Sequence, residues 1–264
     1  VSSYFPDSSV FFLNCFALGP WATGMNVAMG LADSTILKCL GPDKDKIDNT
    51  LRLFGPKYHY VVAGYPPFVK DWLDSSKLDL TKFDLHLLVG GEALSEALRD
   101  RFLRVFRTVR SSYGASDLEI NIGAETNFTV ALRRFLRDKP EIRRKLFDTE
   151  HLPMLFQYNP FDYFVEQSPE GEIVVTLLRS SIVAPKIRYN IRDQGGVKTM
   201  RDMRQCLLAA GIDPCLLPTA SDLPILWVGP RSDLTMPFYG SKVFTSDLDA
   251  ILERADEGDV RSEE

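Results

Sequence analysis

Cysteine, histidine and long apolar runs are all scarce in this chain, and each scarcity closes off a class of protein. Four cysteines, Cys15, Cys39, Cys206 and Cys215, occur in 264 residues. None pairs as CxxC and none has the spacing of a disulfide scaffold, so a reduced, cytoplasmic setting is expected. Zinc held by Cys206, Cys215 and His151 lacks an obvious fourth ligand, so buried or incidental thiols are expected and structural zinc is not. The other histidines, His59 and His86, fall in strand contexts where core or surface duty is the default. No Gly-x-Ser-x-Gly elbow and no internal repeat occurs, and Gly195-Gly196 signals a turn rather than a dinucleotide fingerprint. The stretch from Ser8 to Ala32 carries no charge, yet Asn14, Gly19, Pro20, Gly24, Asn26 and Gly30 interrupt it. No membrane span is expected there, and no basic segment precedes it as in a signal peptide. It reads as a buried strand over Val10–Phe16, a Gly-Pro turn and a core helix beginning near Thr23.

What is present is an ordinary globular composition, 45% hydrophobic and 25% charged, which suffices for one large domain or two small ones. The net charge of -5 argues against a nucleic-acid partner held through phosphates. Two stretches are locally basic, one from Arg99 to Arg110 and one from Arg133 to Lys145. Both read as solvated helix faces: in the first, Leu94, Leu98, Phe102, Val105, Phe106 and Val109 recur at helical spacing, which puts the arginines largely on the opposite side. No oligomeric state is read from the pattern.

Up to about Leu132, short apolar runs alternate with helix-period segments, the pattern of a mostly parallel sheet flanked by helices. Expected strands are Val10–Phe16, Thr35–Cys39, Tyr58–Ala63, Leu85–Val89 and Val109–Ser112. Expected helices are Lys44–Phe54, Pro67–Leu73 and Leu94–Phe106. In such α/β sheets ligands sit beyond the carboxyl ends of the strands. Residues 133–153 read as a charged helical connector. A small β-rich subdomain follows, with strands at Phe161–Glu166, Glu172–Leu177 and Ile187–Tyr189, a turn at Pro169-Glu170-Gly171 and a helix over Met200–Ala210 ended by Gly211. A short strand near Lys242–Phe244 then precedes a helix capped by Thr245 or Ser246, and the acidic tail 255–264 is expected to fray.

Four segments carry chemistry. Gly90-Gly91-Glu92 follows an apolar strand, where bare backbone allows close approach of a flat ring; a strand-to-helix turn asks for glycine on geometric grounds as well. Tyr113-Gly114-Ala115-Ser116-Asp117 joins an aromatic, a hydroxyl and a carboxylate, and also fits a glycine turn with capping Ser and Asp. Ile187-Arg188-Tyr189-Asn190-Ile191-Arg192-Asp193 ends on a carboxylate suited to a vicinal diol, while Arg188 and Arg192 equally suit structural ion pairs. Arg231-Ser232-Asp233 also has the composition of a polar surface loop.

In this order the four segments resemble the nucleotide-binding half of an adenylate-forming ligase, in its phenylacetate-CoA ligase-like branch. The resemblance implies that Gly90, Gly91, Glu92, Tyr113 and Gly114 line an adenine site and that Ser116 contacts the α-phosphate. Asp117, one methylene shorter than the usual Glu, would hold Mg²⁺. Asp193 would receive the ribose hydroxyls, Arg231 would meet ribose or phosphate, and Asp233 would be the hinge to a further domain. Tyr65, Pro66 and Phe68 would wall a pocket for a small carboxylic acid, an aromatic or otherwise apolar one being favoured. The implied reaction joins ATP and the acid into an acyl-adenylate, then passes the acyl group to coenzyme A, a carrier-protein thiol or another acceptor.

The implied division is an α/β part of the adenylation core at 1–153, a β-rich subdomain at 154–230, and a hinge with the start of a C-terminal domain at 231–264. Pro230 and Pro237 depart from the family pattern, and no Ser/Thr/Gly-rich, lysine-bearing phosphate loop is found. These 264 residues are therefore expected to be the middle of an enzyme and not to complete adenylation alone. The rival expectation is a noncatalytic nucleotide-binding or scaffold module derived from such an enzyme.

Overall fold

The computed structural model describes residues 10–219 and 221–231 in full, and the backbone of 235–238 and 241–244. Ser232, the expected hinge Asp233, the helix after Thr245 or Ser246 and the tail 255–264 lie outside the described residues. The chain divides into two compact units. One comprises 1–94 and 98–121; the other comprises 95–97 and 122–264.

The first unit is a strand-helix alternation: β1 (Val10–Asn14), α1 (Ala22–Leu31), β2 (Ile36–Cys39), α2 (Lys44–Phe54), β3 (His59–Gly64), α3 (Pro66–Ser75), β4 (Asp84–Gly90) and β5 (Thr108–Ala115). The helix α4 (Glu96–Phe102) and the strand β6 (Glu119–Ala124) run across the division. Its strands lie in the order β2, β1, β3, β4, β5, and the pairs β1–β2, β1–β3, β3–β4 and β4–β5 are parallel. β1 is buried along its whole length, as expected of a strand covered on both faces. Local chemistry sets the helices. Asp43 caps α2 by accepting from the Lys46 backbone N–H at 3.1 Å, and Gly55 ends it at φ 69°. Trp72 of α3 is fully buried and donates its indole N–H to Asp48 Oδ1 at 2.9 Å, which ties α3 to α2.

The second unit contains α5 (Asn127–Leu136), α6 (Pro140–Phe147), β7 (Met154–Tyr158), β8 (Tyr163–Gln167), β9 (Glu172–Leu177), β10 (Tyr189–Lys198), α7 (Met200–Ala209), β11 (Ile225–Arg231) and the hairpin β12 (Thr235–Phe238) and β13 (Ser241–Phe244). Its order is β7, β11, β10, β9, β8, and every pair is antiparallel. Mostly parallel pairing, expected from the sequence, therefore holds only for the first unit. Connections as short as Ser168–Gly171 permit hairpins but no crossover. A reciprocal capping box between Thr126 and Thr129 starts α5, and Lys139-Pro140 separates it from α6 where one connector was expected. Phe128, Leu132 and Leu136 of α5 pack with Met203 and Leu207 of α7 in the core of this unit.

Other expectations change as well. α1 buries only Gly24 and Val27 and is not a core helix: lack of charge is not an apolar face, and Trp21 at its N-cap and Met29 within it stand exposed. Gly195-Gly196 lies inside β10 at an irregularity of register, not in a turn. Arg99 and Arg133, expected on solvated faces, are buried; Arg99 Nη1 donates to the Val109 carbonyl at 2.8 Å. Cys15 is buried, which pushes its thiol pKa up, while Cys39 and Cys215 are exposed. No helix among the described residues is long and apolar enough to cross a membrane.

Candidate functional site

In the first unit three sequence segments leave the carboxyl ends of adjacent parallel strands. The register sets Gly64 beside Val89 and Gly90 beside Ser112, so Tyr65 and Gly91 directly follow β3 and β4, and Tyr113 continues β5 past its last residue paired with β4. Tyr65 occupies the N-cap position of α3 in extended conformation, with Pro66 and Pro67 opening the helix. Pro66 is buried, whereas Tyr65 and Phe68 are half-buried. The Tyr65 ring stands edge-on to Phe16, with centroids 5.2 Å apart.

Gly91 has φ +86°, and a Cβ there would lie 2.1 Å from Tyr65 Cε1. Both the left-handed backbone and the aromatic ring thus require glycine. Gly90 sits against Ser112, whose Oγ would be 2.9 Å from an added Cβ. Glu92 is exposed. Sequence reading missed Ser112 and Phe16 as supports of this edge, because their role depends on the strand order.

Tyr113, Gly114 and Ala115 prolong β5 beyond the expected strand end. Ser116, Asp117 and Leu118 form the turn into β6, closed by the Leu118 N–H donating to the Ala115 carbonyl at 3.0 Å. Gly114 is needed for contact: an added Cβ would meet Asn121 N at 2.6 Å and Glu119 O at 2.7 Å. The result is a half-buried Tyr113 and an exposed Ser116 and Asp117 at a tight turn, with Glu119 two residues further on at the start of β6.

In the second unit Asp193 on β10 and Arg231 on β11 are register partners. Arg231 Nη1 lies 3.7 Å from Asp193 Oδ1; the carboxylate side chain is 11% exposed and the guanidinium 43%. Two candidates from separate segments are thereby brought together. The run before Asp193 is held by a polar ladder. Asn190 Oδ1 accepts the Arg192 N–H at 2.8 Å, and Asn190 Nδ2 donates to Glu172 at 2.5 Å. Arg188 pairs with Glu166 at 3.3 Å, the structural role left open by the sequence. Arg188 and Arg192 both have positive φ, 50° and 71°, so this segment departs from regular strand geometry just before the carboxylate.

No protein-family model matches the chain, and no curated protein matches it. Solved structures do. The unliganded O-succinylbenzoate coenzyme A synthetase from Bacillus subtilis aligns with a TM-score of 0.52 at 11% identity, over 95% of this chain and 50% of that one. An acyl-CoA synthetase (AMP-forming)/AMP-acid ligase II-like protein from Dyadobacter fermentans aligns at 0.48 and 14%, over 94% and 57%. Coronafacic acid ligase from Pectobacterium brasiliense aligns at 0.46 and 13%, over 90% and 42%. The first likeness shows a shared fold and, at that identity, the fold alone; the other two are too distant to add to it. The chain spans about half the length of these proteins.

Proposed function

We propose that this chain is the nucleotide-handling part of an adenylate-forming acid–thiol ligase of the phenylacetate-CoA ligase-like branch. One observation supports the reading above the rest: Asp193 and Arg231, taken from two distant motifs, face each other across β10 and β11. A ribose diol offers two donors to the carboxylate, and the neighbouring guanidinium supplies positive charge for phosphate.

In the proposed reaction a carboxylate oxygen of the acid attacks the α-phosphorus of ATP, the bond to the β-phosphate oxygen breaks and pyrophosphate leaves. The sulfur of coenzyme A then attacks the acyl carbon and AMP departs. Asp193 orients the ribose. Ser116 presents its hydroxyl to the α-phosphate. Gly90, Gly91, Glu92, Tyr113 and Gly114 receive adenine. Tyr65, Pro66 and Phe68 wall the acid, and Asp233 acts as the hinge for thiol attack. The domain division 1–153, 154–230 and 231–264 and a cytoplasmic location belong to the same proposal.

Asp117, an exposed carboxylate on a turn, suits a hard cation that keeps most of its waters, so it fits Mg²⁺ with Glu119 in reserve. When bound, the ion would offset phosphate charge as pyrophosphate leaves.

Asp193→Ala should weaken ATP and AMP binding by about 1.5–3 kcal/mol, the range for hydrogen bonds to a charged group. Calorimetric titration checks this, and equal affinity in a folded variant would overturn the assignment. In a longer protein that carries the phosphate loop, Asp117→Asn should reduce Mg²⁺-dependent pyrophosphate exchange while leaving metal-free AMP affinity nearly unchanged. An unaltered Mg²⁺ dependence of exchange would remove Asp117 from the metal.

A further inference from the structure

A second group of polar side chains lies at the opposite end of the strands. Asp84 opens β4 and His86 follows two residues later, so both project from one face; His59 opens β3 and is Asp84's register partner. One oxygen of Asp84 contacts His59 Nδ1, and the other lies 3.3 Å from His86 Nε2. One ligand atom from each of the three falls within 4.8 Å of the others, the only such group of three His, Cys, Asp or Glu among the described residues. Gly90, at the far end of β4, is roughly 20 Å away at the usual rise per strand residue.

We propose that His59, Asp84 and His86 bind a divalent transition-metal ion of the zinc class, which cross-links the amino ends of β3 and β4. This revises the expectation of no structural zinc, and it does not depend on the proposed ligase chemistry. A zinc ion bonded at about 2.0–2.2 Å sets tetrahedral ligand atoms roughly 3.3–3.6 Å apart, a spacing within reach of small side-chain rotations here. Two imidazole nitrogens and one carboxylate oxygen favour zinc, cobalt or nickel over magnesium or calcium, which prefer all-oxygen shells.

Two further features suit a ligand. His86 Nδ1 lies 2.8 Å from Thr108 Oγ1. With Nδ1–H donating to that hydroxyl, Nε2 directs its lone pair at the cluster, the outer-shell arrangement that orients metal-bound histidines. Asp84 Oδ1 is buried with no hydrogen-bond donor aligned on it. Arg107 Nε meets it at 2.6 Å as a charge contact only, from a side chain that is 70% exposed and able to swing outward. In the apo protein Arg107 offsets the carboxylate, and an arriving cation takes over that role. A fourth position is left for water or another ligand.

The test uses the whole chain, stripped with chelator and alkylated so that Cys39 and Cys215 cannot capture metal. Zn²⁺ titration should show one equivalent bound and a rise in melting temperature, and Co²⁺ should give visible absorption bands on the same site. His59→Ala and His86→Ala should each weaken Zn²⁺ by more than tenfold, and Thr108→Val by about tenfold or more. Arg107→Ala should bind no more weakly than the unaltered chain. Unchanged Zn²⁺ affinity in the His59→Ala/His86→Ala double variant, or Mg²⁺ binding as tightly as Zn²⁺, overturns the proposal. Should the variants misfold, diethylpyrocarbonate labelling of the unaltered chain decides. Zn²⁺ should slow modification of His59 and His86 relative to His151, and equal rates with and without Zn²⁺ overturn the site.

Discussion

Arg133→Ala should lower stability by about 3–5 kcal/mol, because it removes the buried cation of a buried ion pair in the second unit. Glu96 is 4% exposed and Arg133 equally so; their side chains are in direct contact, and Arg133 Nε donates to the Pro153 carbonyl at 2.9 Å. The large cost reflects the charge left behind more than the worth of the pair, so Glu96→Gln with Arg133→Met should recover most of the loss. Arg134 makes the contrast. It lies 3.6 Å from Glu96 but is 40% exposed, so Arg134→Ala should cost less than about 1 kcal/mol. Urea unfolding of the four proteins checks the set, and equal midpoints for Arg133→Ala and Arg134→Ala would contradict the buried pair.

Gly91→Ala should damage the sheet edge through a single added methyl group. At φ +86° a side chain costs about 1–3 kcal/mol of backbone strain alone. The added Cβ also falls 2.1 Å from the Tyr65 ring, which must then leave its place beside Phe16. Stability should fall by at least the backbone cost. If Tyr65 walls the proposed acid pocket, acid-dependent pyrophosphate exchange by a longer protein that carries the phosphate loop should fall with it. Tyr65→Ala combined with Gly91→Ala separates the terms. Removing the ring relieves the collision but not the strain, so the pair should be non-additive by about 0.5–3 kcal/mol. Additive unfolding energies would mean that ring and glycine do not compete for space.

The expected strands over the first unit match the observed ones to within a few residues, because apolar runs such as Val10–Asn14, buried along its whole length, and Leu85–Val89, buried at alternate residues, leave little choice of conformation. α2 and β9 match to the residue, as a capped helix and a turn-bounded strand should. β6, β7 and β11 were not expected. β7 and β11 pair with strands distant in sequence, as when Leu226 of β11 pairs with Phe156 of β7 and Val197 of β10. Arginine-rich helices looked solvated because periodicity reports a helix face and not what packs upon it; Glu96 on another helix draws Arg133 inward.

The candidate site divides along the same line. Sequence alone determined which residue types could do nucleotide chemistry and that Gly90-Gly91-Glu92 follows an apolar strand, since glycine, proline and apolar runs act locally through backbone sterics. It also carried the Asp84-x-His86 alternation, which places two potential ligands on one strand face. Only the tertiary structure decided that Asp193 faces Arg231, that Tyr65 rests on Gly91 and that His59 completes the group at Asp84. Those meetings depend on strand order and register. Both are set by the packing of whole faces and by closures between distant segments, and no local pattern of residues encodes them.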